Sequence, residues 1–129
     1  MALTSVNVSR DGRLVAYGTA AAGSDWNEIR VRSIDDGRDT ADHVKWVKFS
    51  ALGWTRDGKG FFYSRYPTPE VDAGTGKTFS RLENHSVYYH RLGTPQEQDV
   101  LIHAIPAEPK WLVRATTSED GRYVVIRIN

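Results

Sequence analysis

The chain has 129 residues, enough for one domain and short for two. With 40% apolar and 26% charged residues it has the balance of a globular protein, and a net charge of +1 gives no field favouring nucleic acid or an anionic membrane. It has no cysteine, which excludes disulfides, a thiol nucleophile and thiolate metal ligation.

The chain opens on Met1-Ala2-Leu3-Thr4 without the basic start and apolar stretch of a secretory leader, and no apolar run approaches the roughly 20 residues of a membrane helix. The expectation is a cytoplasmic protein; a periplasmic one stays compatible if the chain is a piece of a longer protein. Val6 and Val8 precede a first turn, Ser9-Arg10-Asp11-Gly12-Arg13, and Leu14 to Gly18 follow it. Glu28 to Ser33 alternate as a third strand, and Val44-Lys45-Trp46-Val47 can close a four-stranded unit. Leu52 and Trp54 lead into a second turn, Thr55-Arg56-Asp57-Gly58-Lys59, followed by Phe61 to Ser64. Val87 to Leu92 and Val100 to Ile105 complete that unit. Trp111 to Thr117, a third turn at Ser118-Glu119-Asp120-Gly121-Arg122 and Tyr123 to Ile128 begin another. Asp-Gly between strand-like runs marks a hairpin because the turn needs a positive φ.

The three turns begin at 9, 55 and 118. A first spacing in the forties fits four-stranded propeller blades, and the wider second gap contains residues 66–86, rich in Pro, Gly and charge, which reads as an inserted loop. With no capped 3.6-residue stripe, the fold class is all-β: a partial β-propeller of about two and a half four-stranded antiparallel blades. Blade one covers about 1–47, blade two about 48–107 with the insertion at 66–86, and the start of blade three about 108–129, all in a single partial domain. Such an arrangement cannot close on itself. Its open faces call for more blades in a longer protein, or for several copies forming a homo-oligomeric interaction module through exposed blade edges.

Catalytic and ligand motifs are few. Gly74-Thr75-Gly76-Lys77-Thr78 resembles the end of a phosphate-binding loop, but Val71 stands where the first glycine belongs and no helix follows. No Gly-x-Ser-x-Gly elbow occurs; Ser24 in Gly23-Ser24-Asp25-Trp26 is a poor nucleophile candidate. His43, His85, His90 and His103 are expected at the surface or hydrogen-bonded, and His85 and His90, five apart on opposite strand faces, are not expected to share a metal. Asn7-Val8-Ser9 and Asn84-His85-Ser86 match the glycosylation pattern by chance. Trp26, Trp46, Trp54 and Trp111 are expected to fill the space between blade sheets. Neither a cofactor nor a metal is called for.

The ordered set Gly23-Ser24-Asp25-Trp26, Val47-Lys48-Phe49-Ser50, Gly53-Trp54-Thr55-Arg56-Asp57-Gly58-Lys59-Gly60-Phe61-Phe62-Tyr63, Val87 through Thr94 and Glu108-Pro109-Lys110-Trp111 resembles the prolyl oligopeptidase family over nearly the whole chain. That resemblance implies a serine peptidase cleaving short peptides after proline. Its C-terminal α/β-hydrolase domain carries the catalytic triad, and a seven-bladed propeller covers the active site. This chain resembles part of the propeller alone, so no catalytic residue is expected here and the chain by itself is expected to be inactive. Its partners are then the hydrolase domain, the remaining blades and short proline-containing peptides, not nucleic acid or membrane. By the same resemblance Phe49 lines the pocket for the residue two before the proline. Leu112 stands beside it where relatives often have methionine. Asp25 lies on the propeller face near a substrate-binding arginine, although an Asp capping its own turn is an equal reading. The insertion corresponds to a gating loop, with Tyr66, Gly74, Gly76, Lys77, Arg81 and Ser86 as its marked positions.

Overall fold

The computed structural model describes residues 2–20, 26–68, 70, 71, 74, 78, 79 and 82–129. Among them the strands are β1 (Ala2–Val8), β2 (Leu14–Ala20), β3 (Asn27–Ser33), β4 (Asp39–Trp54), β5 (Gly60–Arg65), β6 (Glu70–Val71), β7 (Thr78–Phe79), β8 (Ser86–Arg91), β9 (Val100–His103), β10 (Val113–Thr117) and β11 (Val124–Ile128), with one 3-10 turn at Gln96–Gln98. β1-β2-β3-β4-β5-β8-β9 form one antiparallel sheet; β10-β11 and β6-β7 form two-stranded ribbons.

The long sheet is two four-stranded meanders sharing one strand. The first half of β4 pairs with β3 (Ile29 opposite Val44), and the second half pairs with β5 (Leu52 opposite Tyr63, Trp54 opposite Phe61). Between these halves Trp46 and Phe49 have φ of 64° and 52°. Two left-handed residues so close together turn the strand out of one sheet and into the next. The segments expected as separate strands, at Val44–Val47 and at Leu52 and Trp54, are therefore the two ends of one bent strand.

Each face of the second meander is covered, as strand alternation dictates. Phe61 and Tyr63 point into a cluster with Ala16, Ile29, Val31, Val44, Val47 and Trp54, while Phe62 on the opposite face joins Val87, Val113 and Ala115. Burying each such aromatic contributes about 1.5–3 kcal/mol. The stack of sheets with open outer faces is a partial β-propeller. Trp54 is the buried inter-sheet ring, and its indole N–H donates to the Asn7 carbonyl of β1 (3.0 Å). Trp26 and Trp46 are half-buried, whereas Trp111, expected in the core, is 44% exposed. It precedes β10 in a turn whose amide donates to Glu108 (3.1 Å), so its ring is not carried into either interface.

All three Asp-Gly hairpins share one geometry, wider than a two-residue turn. Ser9 N–H donates to the Leu14 carbonyl (2.8 Å), Thr55 to Gly60 (3.0 Å) and Ser118 to Tyr123 (2.9 Å), enclosing four residues each time. Only the glycine takes positive φ: 75° at Gly12, 70° at Gly58 and 73° at Gly121. In each turn the hydroxyl donates to the Asp Oδ1 (2.6–2.7 Å), which also accepts the amide of the following cation. Those two hydrogen bonds, the hydroxyl's first, hold Asp11, Asp57 and Asp120 below the usual carboxylate range.

His90, on β8, is fully buried between two carboxylates: Nε2 donates to Asp42 (2.9 Å) and Nδ1 to Asp99 (2.7 Å). Since both ring nitrogens donate, the ring is an imidazolium. Burial pulls its pKa down, but the hydrogen bonds it donates to Asp99 and Asp42 outweigh that and hold it above the ordinary histidine value. Asp42 is pushed up by burial, yet Thr40, His90 and the Gly93 amide leave it below the usual range. The Tyr63 hydroxyl donates to the other Asp99 oxygen (2.5 Å), and burial, then Asp99, raise its pKa.

Two outcomes follow for the protein that carries this chain. Replacing His90 with Leu leaves two buried carboxylates unpaired and is expected to cost about 3–5 kcal/mol in denaturant unfolding. The His90 contribution is complete below its unfolded pKa and lost as pH rises through the raised folded value. The Asp42 contribution is present above its unfolded pKa and lost as pH falls through the lowered one. The melting temperature of the native protein is therefore expected to fall at both ends while that of His90→Leu loses the alkaline limb; a His90→Leu curve parallel to wild type contradicts this. Separately, a Cβ at Gly53 would sit 2.8 Å from the Thr117 amide nitrogen. Gly53→Ala is thus expected to lose about 1–3 kcal/mol by driving β10 from β4, measurable by thermal unfolding.

Candidate functional site

Of the functional candidates, Phe49 and Tyr66 meet at the bend of β4. Its left-handed backbone places the Phe49 ring outward, 46% exposed, with the Lys48 ammonium 5.6 Å from its centroid and 5.2 Å from that of Trp26. Trp26 meets Trp46 edge to face (5.9 Å) and Tyr66 likewise (6.0 Å). The result is an aromatic floor with a cation above it, an arrangement suited to apolar and aromatic side chains.

Three carbonyls and one hydroxyl of the bend are engaged by neighbouring segments. The Trp46 carbonyl accepts the Tyr66 amide (3.1 Å), the Phe49 carbonyl accepts Arg114 Nε (2.9 Å), and Ser50 Oγ accepts the Ser64 amide (2.8 Å). The Lys48 carbonyl is bound by Nε2 of His85 (2.7 Å), whose Nδ1 accepts the Val113 amide (2.9 Å). Because Nδ1 must accept, the proton is on Nε2 and the ring is neutral. Burial, chiefly, holds its pKa below the ordinary value. Expected only as a surface or hydrogen-bonded histidine, His85 is 2% exposed and packs 4.9 Å from the Tyr66 ring. No spacing rule singles it out, since its partners are backbone groups 37 and 28 residues away.

Behind Phe49 lies a cavity of about 390 Å³ lined by residues including Thr4, Asn7, Asn27, Ser50, Leu52 and Thr116. Asn27, one of the lining residues, has its Oδ1 buried without a hydrogen-bond partner among the described residues. Leu112 is half-buried and does not line this cavity; its amide and carbonyl exchange hydrogen bonds with Asn129 (2.8 and 2.9 Å). Its neighbours Val113 and Arg114 nevertheless tie its strand to the Phe49 backbone.

The insertion at 66–86 has buried ends. Tyr66 is 3% exposed, and Ser86, 5% exposed, opens β8 opposite Arg65. Between them β6 and β7 pair as a short ribbon within the inserted loop (Glu70 with Phe79), and Gly74 lies in an exposed turn. Asp25, Gly76, Lys77 and Arg81 lie outside the described residues. Among the described residues there is no grouping of His, Cys, Asp and Glu able to hold a metal.

The family described as prolyl oligopeptidase, N-terminal beta-propeller domain, matches residues 1–129. Prolyl oligopeptidase A of Amanita bisporigera is 39% identical over 96% of the chain, which spans only 18% of that relative. A solved prolyl endopeptidase superimposes with a TM-score of 0.87 at 40% identity, covering 99% of the chain and 17% of its own. Prolyl oligopeptidase B from Galerina marginata, solved bound to a 35mer hydrolysis and macrocyclization substrate, gives 0.85 at 35% identity over 98% of the chain and 19% of its own.

The His85 assignment predicts that imidazole nitrogen shifts will report an Nε2–H tautomer that stays neutral to a lower pH than a free histidine; a ring titrating at the ordinary value contradicts the geometry.

Proposed function

The chain belongs to the prolyl oligopeptidase family, as part of its N-terminal β-propeller, and from that premise we propose that it serves a longer serine peptidase by admitting and positioning short peptides for cleavage after proline. The observation that carries this reading is Phe49. A large ring is held outward on left-handed backbone, a conformation costing roughly 1–3 kcal/mol, and the surrounding hydrogen bonds keep it there. Strain of that kind persists where a side chain must be presented, and an aromatic beside Trp26 suits the peptide residue two before the proline. In the same reading Leu112 belongs to this site from the chain segment tied to the Phe49 backbone through Val113 and Arg114, and Asp25 supplies a carboxylate for a substrate-binding arginine or a peptide amine. The segment from Tyr66 through Gly74, Gly76, Lys77 and Arg81 to Ser86 gates access from roots fixed in the core.

The uncovered apolar side chains support the rest of the assignment. Leu3, Val6 and Val8 on β1, and Val124, Val125 and Ile128 on β11, are 42–64% exposed. Exposed apolar side chains on these two outer strands fit docking against further blades and an α/β-hydrolase domain. The nucleophile, its base and the oxyanion donors belong to that domain in this reading.

The chain alone is expected to leave a chromogenic Gly-Pro amide intact, and to restore cleavage when mixed with the separately produced remainder of the enzyme. Hydrolysis by the chain alone, or a discrete closed oligomer of it in solution, would count against the reading, the second favouring a stand-alone module. In the full-length enzyme, Phe49→Ala is expected to reduce about tenfold the preference for a large apolar residue two before the proline. Unchanged relative kcat/KM across such peptides removes Phe49 from the pocket.

A further inference from the structure

We propose that His85 is a positioning residue for peptide selectivity: its imidazole fixes the spacing between the backbone carrying Phe49 and the backbone carrying Leu112, and so sets the width of the site upstream of the proline. The inference rests on the assignment of Phe49 and Leu112 to that site.

The geometry is specific. Nε2 binds the carbonyl of Lys48, the residue before Phe49, at 2.7 Å; Nδ1 binds the amide of Val113, the residue after Leu112, at 2.9 Å. The five-membered ring has no internal torsion, so the two strands are held by a spacer of fixed length. The Val113 amide has no water as an alternative, because the ring is 2% exposed and Val113 1%. The outer wall is fixed too: Ser64 Oγ donates to the Val113 carbonyl (2.6 Å), and Arg114 reaches the Phe49 carbonyl (2.9 Å). Tyr66, whose ring lies 4.9 Å from the imidazole, and Ser86, the next residue, are the two roots of the insertion. Both ends of the proposed gate and both walls of the proposed pocket therefore converge on this one side chain. A filler residue needs only volume here; this one spends both nitrogens on backbone beside the two pocket positions.

The test uses the full-length enzyme and two chromogenic peptides ending in Gly-Pro, one with Phe and one with Gly two residues before the proline. The readout is the ratio of their kcat/KM values, which cancels changes in the shared chemistry. His85→Leu, which removes both hydrogen bonds, is expected to lower the ratio about tenfold through KM for the Phe peptide, with kcat on the Gly peptide within about twofold of wild type. His85→Gln, which keeps a donor and an acceptor, is expected to retain most of the ratio.

Should His85→Leu fail to fold, the wild-type ratio measured against pH decides. Protonating Nδ1 abolishes the acceptor for Val113, so the ratio is expected to drop in acid, below the ordinary histidine value, and to stay flat in His85→Gln. The titratable or charged groups on the elements packed against the ring are Lys48 on β4, Tyr66 after β5 and Arg114 on β10. A ratio unchanged in His85→Leu, or flat with pH in the wild type, overturns the proposal where Phe49→Ala lowers the ratio. A ratio unchanged in Phe49→Ala overturns the pocket reading and this proposal with it.

Discussion

At Trp46 and Phe49 the β4 backbone enters the left-handed region, and the polar groups around it are taken by four different neighbours: Tyr66, His85, Arg114 and Ser64. A strand left to its own propensity would continue straight into the first sheet. Each hydrogen bond offsets about 1 kcal/mol of the cost of bending it. Once bent, β4 can give its first half to β3 and its second to β5, and the two meanders stack with Phe61 and Tyr63 between them. The outward Phe49 and the buried His85 are both products of that bend.

The two buried histidines of the second meander solve opposite electrostatic problems. His90 is charged, and its burial is tolerable only because Asp42 and Asp99 flank it on both nitrogens. His85 is neutral, and its burial is tolerable because one nitrogen donates to a carbonyl and the other accepts from an amide. The former joins β4, β8 and the segment after the 3-10 turn; the latter joins β4 to β10. Together they hold the second meander to what precedes and follows it.

The hairpins were the most legible part of the sequence, because the Asp-Gly turn is local: the hydroxyl, the carboxylate and the glycine that build it lie within four residues. Apolar alternation located the strands for the same reason. What stayed hidden is what depends on distant partners. Trp46 and Phe49 carry no glycine-like signal for positive φ, since their conformation is imposed by groups from β5, β10 and the turn before β8. His85 and His90 looked alike as isolated histidines, and only tertiary contacts up to 48 residues apart separate a neutral spacer from a buried cation. Trp111 misled because a large ring near a strand suggests core, while its place in a turn leaves it outside. Phe49 and Leu112 were legible as pocket candidates through family resemblance; the imidazole joining their strands was not.

Arg10 in the first hairpin turn donates to the carbonyls of Ser118 and Glu119 and to the Thr117 hydroxyl (3.2 Å), all at the third hairpin. Gly121 of that third turn lies over Arg56 of the second, where any side chain would strike the Arg56 Cβ. Tandem repeats are ordinarily treated as beads that feel only the adjoining bead, so that an end unit can fray alone. A guanidinium that skips the middle unit breaks that one-dimensional bookkeeping: melting the first hairpin takes a donor from the third. The first and third hairpins are thus joined directly, and a disturbance of either reaches the other without passing through the middle unit.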